Sequence, residues 1–564
     1  MNNIFIFLIS FYFCLFSTLG YGNLFYKICY PQNTIKQSDL IYIGFFGLAF
    51  LTLISMVSSI FVPHNFYHNL GIHFVGIIYF LFSKFDKKKD FIKYIFLISI
   101  FLISLLLISK TNDDFSYYHL PFTKYLTENK IIFGMGHLNH GYNLLSSLFF
   151  LNSTFYLPFV DLYSFHFSLL FFLIFFNFFL IYEIFSSKNN VSTYLYFFAF
   201  VFFNLSFNRI AEYGTDKTGQ LLIVLVVIKL FQIVCIDIKN RENQETKILF
   251  LLPLIAYCIS LKTYFLPYAI LSLIIFIINS DLKKSLKIIF YSKSFLFSLL
   301  ILIFSFIHNF ISTGCFVSPL SFTCLSESIT WNRNIEDIKN LSIWLEQWAK
   351  AGAGPNFRVE NVQIYIENFN WISTWIDKYF LGKFSDQILI LLSSYLVIFI
   401  FFKKFKNKNK NKIINNKILY FYLLLLVIFF VWFSNHPTLR YGGYAIVFLI
   451  ISFPISIFFE KFEEKNFFNK NFKYFIIFIV LVLNLKNIDR IIDEFDRSDK
   501  YKFINFPFFA IENKKFITHE FPSGLNLYSA HHCWATPTPC GNISENIIVK
   551  KKNSYFFIQN NKLN

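Results

Sequence analysis

The chain alternates long apolar stretches with short polar or Lys-rich connections. A stretch of about 20 apolar residues spans a bilayer as a helix, because a helix satisfies every backbone polar group within its own segment. By this criterion the spans fall near 3–22, 40–62, 69–84, 91–109, 160–184, 191–207, 218–236, 247–261, 264–279, 294–312, 386–402, 418–434, 441–459 and 472–486. The expected fold class is therefore all-α transmembrane, a polytopic helical bundle of about fourteen spans with outer-face loops. The expected domains are an N-terminal transmembrane region over residues 1–312 with an outer loop at 110–159, a loop subdomain over 313–385, a second transmembrane region over 386–486 and a small tail over 487–564. The first stretch lacks a basic leader and a convincing small-residue cleavage site, so it reads as a span rather than a signal peptide.

Charge orients this trace. Lys84, Lys87, Lys88, Lys89 and Lys93 form one cluster, and Lys403, Lys404, Lys406, Lys408, Lys410 and Lys412 another. Basic runs between apolar stretches mark cytoplasmic loops. The net charge of +18 is thereby accounted for without nucleic acid, which is not expected as a partner. With the basic loops inside, both termini and the loops 110–159, 208–217, 313–385 and 435–440 lie outside, in a bacterial inner membrane whose active face is periplasmic. The 83 Phe and mean hydropathy of +0.52 exceed what one soluble core would hide.

The polar residues that remain collect on that outer side. Asp113 and Asp114 follow the fourth span, in a position that also suits a solvated cap of the next helix. Asp216 opens the seventh span, in a sequence with Glu212, and reads otherwise as an N-cap. Lys262 stands between two outward-ending helices, where a snorkelling lysine is common, and Arg440 precedes the thirteenth span. Carboxylates beside cations at one depth suit a lipid-linked phosphate: cations hold the phosphate and a carboxylate accepts a hydroxyl proton. His137 and His140 lie among glycines, which favours hydrogen-bonding loop histidines over a zinc site, so no metal ligand is assigned and a divalent metal stays open as a cofactor. Trp331, Trp344, Trp348, Trp371 and Trp375 suit an interfacial belt or a subdomain core better than sugar stacking. Cys315 with Cys324, and Cys533 with Cys540, are candidate disulfides in an oxidising exterior.

Taken together, Asp114-Phe-Ser-Tyr-Tyr118-His119-Leu-Pro121, Gly-His137-Leu-Asn139-His140-Gly, Thr313-Gly-Cys315-Phe-Val-Ser-Pro319-Leu, Pro437-Thr-Leu-Arg440-Tyr441-Gly and Cys533-Trp534…Pro539-Cys540 resemble a bacterial family within the GT-C superfamily of polytopic glycosyltransferases. The resemblance implies inverting sugar transfer from a polyprenyl-phosphate donor to a glycan or lipid acceptor. Asp114 would be the general base and Asp113 or Asp216 supporting carboxylates. Lys262 and Arg440 would hold the donor phosphate, with Tyr118, His119, His137 and His140 in support. The rival expectations are a polytopic transporter or flippase, a glycan polymerase or ligase of the cell envelope, and a non-catalytic scaffold.

Overall fold

The computed structural model describes residues 2–30, 35–186, 190–206, 215–236, 247–274, 282–325, 329–354, 359–402, 416–459, 465–497 and 508–560. The basic connections 237–246, 403–415 and 460–464, with the second Lys cluster, and Glu212 lie outside the described residues.

The chain is predominantly α-helical, and its long apolar helices overlap expected spans, while Leu120–Glu128 and Ile335–Lys350 are helices within the expected loops. Among the described residues, eight helices are long and apolar enough to cross a membrane: Ile4–Cys29, Gln37–Phe61, Asp161–Ser186, Thr215–Val234, Lys293–Thr313, Ile372–Ile400, Lys417–Asn435 and Leu439–Phe459. Four more apolar helices, Phe66–Phe82, Val191–Ser206, Lys247–Leu261 and Thr263–Leu273, are shorter. The helices Lys88–Leu102 and Lys465–Asp496 overlap the expected spans at 91–109 and 472–486 but fall in neither group.

Small residues set how closely the first helices cross. A Cβ on Gly20 would lie 1.9 Å from the Gly76 carbonyl oxygen, and one on Gly22 would lie 1.8 Å from that of Ile43. Only glycine allows backbones to meet at that distance. Around this contact the Phe-rich helices form one apolar core, while Phe74, Leu81, Phe82 and Leu485 point outward.

The helix Lys465–Asp496 runs past residue 486, where the apolar pattern placed the start of the tail. Asn487, Arg490 and Glu494 lie on one face of it at helical spacing. That face is buried because Arg490 donates to the carbonyls of Leu107 at 3.0 Å and Ile108 at 2.7 Å, and pairs with Glu494 at 2.9 Å.

The remaining tail is built of short strands, which the apolar pattern did not anticipate. β1 (Ile517–Glu520) pairs antiparallel with β2 (Asn526–Ser529), and β2 pairs parallel with β3 (Cys540–Gly541). β4 (Ile547–Lys552) and β5 (Tyr555–Asn560) form a hairpin closed by Asn553 and Ser554, with Asn553 in the left-handed region that such two-residue turns require. The hairpin docks on the loop 110–159: Phe133 donates to Phe556 at 3.0 Å and accepts from Ile558 at 2.9 Å.

Candidate functional site

The acidic pair sits on a short, heavily tethered connection. After the helix Lys88–Leu102 the chain makes a 3-10 turn, Ile103–Leu106, and passes through Ile108 at φ 42°. The Arg490 guanidinium holds the Leu107 and Ile108 carbonyls at that bend. Asn112 accepts from the Phe115 amide at 3.1 Å, and a π-turn, Phe115–His119, leads into the helix Leu120–Glu128. Asp113 is left exposed and Asp114 half-buried.

The other three groups also stand at helix ends. Asp216 is in the first turn of the helix Thr215–Phe231, where unpaired amides favour an anion. Lys262 terminates the helix Leu252–Leu261 in extended conformation. Arg440 lies on the loop before Tyr444–Phe459, where Gly442 at φ 87° lets the chain reverse. Side chains from elsewhere pin this loop. Trp375 Nε1 donates to the Pro437 carbonyl at 2.7 Å, Trp432 Nε1 to that of Thr438 at 3.1 Å, and the Leu439 amide donates to the Tyr379 hydroxyl at 2.8 Å. Gln220, one turn beyond Asp216, donates to the carbonyls of Leu439 and Arg440 and accepts from the Ala445 amide.

These ends meet. Arg440 Nε donates to Asp216 Oδ2 at 2.5 Å, and Arg440 Nη2 donates to Asp114 Oδ2. Lys262 Nζ is 4.0 Å from Asp216 Oδ1, which also accepts from the Tyr264 hydroxyl at 3.3 Å. Two acids and two cations thus form one network of zero formal charge. Its exposure is graded: the Asp216 and Lys262 side chains are 4% and 11% accessible, those of Arg440 and Asp114 29% and 30%. Burial acts to raise the Asp114 pKa, but Arg440, by its charge and its hydrogen bond, together with Lys262 outweighs it and holds the carboxyl below its ordinary value. Burial pushes the Lys262 ammonium below its usual range, opposed by Asp216.

The network forms part of the wall of a cavity of about 900 Å³. Asp113, Asp114, Tyr118, His140, Lys262 and Arg440 all line it. Asp216 stands behind the two cations. Trp348 covers Arg440, with the guanidinium carbon 6.0 Å from the ring centroid. Tyr118 packs on Gly141, where a Cβ would come within 2.2 Å of the phenol ring. His119 is fully buried against Tyr118 and Phe149, and burial drives its pKa down to about 3, so it is a neutral packing group behind Asp114. His137 turns to the Trp331 carbonyl at 3.1 Å and ties the two loops together. His137 is not among the residues lining the cavity, and its Nε2 is engaged by that carbonyl. Both candidate disulfides are present, Cys315–Cys324 and Cys533–Cys540.

Several lining residues escaped the sequence reading. His436, His531 and His532 reach the cavity, and Gln220 shapes it from behind. Only the adjacent pair His531-His532 beside Cys533 offered a local signal. The tryptophans divide: Trp344 and Trp348 line the cavity, while Trp371 and Trp375 are buried against Phe433. Among the described residues no group of three or more His, Cys, Asp or Glu side chains is arranged to hold a metal ion.

Residues 4–448 match the profile of a family described as "Domain of unknown function (DUF8201)". The chain belongs to that family. The match takes in Asp114, Asp216, Lys262 and Arg440 and ends before the tail. No curated protein and no solved structure matches the chain.

Proposed function

We propose that the protein is a multi-pass inner-membrane glycosyltransferase of the GT-C type, which moves a sugar from a polyprenyl-phosphate donor to a glycan or lipid acceptor at the periplasmic face. One observation carries this reading: Asp114, Asp216, Lys262 and Arg440, from four helix ends, meet at one cavity. In the proposed reaction an acceptor hydroxyl attacks the anomeric carbon, the bond from that carbon to the phosphate oxygen breaks, and the hydroxyl proton passes to Asp114. The configuration inverts. Arg440 and Lys262 take up the charge that grows on the leaving phosphate, and Asp216 holds both cations in place. An arriving phosphate competes with Asp114 for Arg440. The carboxylate so released binds a proton more readily, which suits a base.

The test is transfer from a defined polyprenyl-phosphate sugar by the purified protein. Loss of a positioned general base costs on the order of 10²–10⁴-fold, so turnover in Asp114→Ala should fall by at least 10²-fold. Full activity in that variant would sink the assignment.

Two observations favour a transporter as the second reading. The stretch Thr263–Leu273 is a 3-10 segment containing Pro267, and the Leu439–Gly443 turn has non-helical backbone at Tyr441 and Gly442. Interrupted helices beside a charged site are also how transporters bind substrates. Counterflow of a labelled lipid-linked sugar in proteoliposomes, without transfer, would decide for it.

A further inference from the structure

The end of the cavity around Tyr117 has a chemistry different from that of the ion network. The Tyr117 ring is surrounded by His140 at 5.0 Å, His532 at 5.8 Å and His531 at 6.0 Å between ring centroids. Its hydroxyl lies 3.2 Å from His140 Nδ1, and Trp344 stands beside His140 at 6.1 Å. All of these rings line the same cavity as Asp114.

Two of these histidines belong to the tail, which is fastened to the acidic loop by several hydrogen bonds. His532 Nδ1 lies 2.9 Å from Ser116 Oγ, and the Trp534 amide donates to the Ser116 carbonyl at 2.9 Å. Lys124 donates to the Thr536 carbonyl at 2.8 Å, the Thr538 hydroxyl and amide donate to Glu128, and Tyr142 donates to the Cys540 carbonyl at 2.8 Å. The Cys533–Cys540 disulfide closes the turn directly after the two histidines. These contacts join residues more than 390 positions apart, and their common result is to present two imidazoles at the mouth of the cavity.

We infer that this end is the acceptor subsite and that the acceptor is an uncharged saccharide, held by His140 and Trp344 together with His531 and His532 from the tail. The inference rests on the transferase reading and names its second substrate. A neutral imidazole offers one donor and one acceptor, which matches a sugar hydroxyl that both gives and takes a hydrogen bond. Tyr117 and Trp344 supply flat apolar faces with polar edges. Burial lowers the pKa of His140 and His532, which keeps both neutral at physiological pH. An acidic sugar would meet the exposed Asp113 carboxylate, and the two cations of the lining, Lys262 and Arg440, are taken up by the donor phosphate in the proposed reaction. His140 and Asp114 line the same cavity.

The experiment is saturation-transfer NMR on the full-length protein in detergent, with chitotriose, maltotriose and mannotriose as neutral probes and trigalacturonic acid as the anionic one. At least one neutral probe should bind, the anionic one should not, and His531→Ala should weaken binding at least fivefold. His531 is exposed, so its loss leaves the fold intact, and His532→Gln, which keeps a polar partner for Ser116, serves as the second variant. Unchanged affinity in both variants, or preference for the anionic probe, overturns the inference, as does failure of every neutral probe to bind. Binding needs no donor, so the two readings fail separately. Neutral-sugar binding that depends on His531 in a protein that transfers nothing sinks the transferase. Transfer whose acceptor KM is unchanged in both variants sinks the acceptor pocket.

Discussion

Arg440 donates from Nε to Asp216 Oδ2 at 2.5 Å although 224 positions separate the two residues in sequence, and the same guanidinium reaches Asp114 with Nη2. The two carboxylates are unequal. Asp216 is buried at the start of a helix with Lys262 as a second counter-ion, whereas Asp114 faces the cavity. One holds the cations and the other is accessible from the cavity.

Different outcomes follow for their substitution. Removing one member of a buried ion pair costs roughly 3–5 kcal/mol, because the partner charge stays buried. Asp216→Ala should lower the unfolding temperature of the detergent-solubilised protein sharply. Asp114→Asn should cost stability only through its partly exposed contact with Arg440, less than Asp216→Ala does, and abolish transfer. A stable, inactive Asp216→Ala protein would reverse the division of roles.

Gln220 is not among the residues lining the cavity, yet its amide spans the Arg440 loop with three hydrogen bonds. Gln220→Leu has nearly the same volume and loses all three. A misplacement of about 1 Å costs around 10²-fold in rate, so kcat should fall by one to two orders of magnitude. Gln220→Glu should do likewise, since its carboxylate accepts from Ala445 but repels the two carbonyls. Wild-type kcat in the leucine variant would show that the loop keeps its shape without the clamp.

Acid sensitivity should follow the Asp114–Arg440 contact. Burial raises the Asp114 pKa, but Arg440 and its neighbours bring it below the ordinary value of 3.8. A carboxyl whose folded-state pKa is depressed contributes stability that is complete above the unfolded value and is lost as pH falls through the folded one. The stability gap between wild type and Arg440→Gln should therefore be constant from neutral pH down to about 5 and shrink below about 4. Thermal unfolding across that range measures it. A gap that widened on acidification would contradict the sign.

Arg490 acts on the site at one remove. The residue is 6% accessible, and its guanidinium fastens the Leu107 and Ile108 carbonyls and pairs with Glu494. Arg490→Ala leaves a buried carboxylate and two carbonyls without that partner, at a cost of roughly 3–5 kcal/mol. Adding Glu494→Ala should recover part of the loss, a coupling that a double-mutant cycle reads directly. Additive losses would show that the pair is not the origin of the effect.

Apolar run length located the eight span-length helices among the described residues, because each satisfies its backbone locally and about 20 apolar residues suffice to cross a bilayer. The alternation of sides also put Asp113, Asp114, Asp216, Lys262 and Arg440 on one expected side, and the short separations of nine and seven residues made the two disulfides legible. What the residues do to one another was decided by tertiary packing. Nothing in the local sequence says that Gln220 clamps residues 439 and 440, that His137 is spent on Trp331, or that a charged, short-stranded tail folds back to bring His531 and His532 to Tyr117. Each of these contacts joins positions about 190 to 420 residues apart, and long-range register depends on how whole helices pack, which no local periodicity encodes.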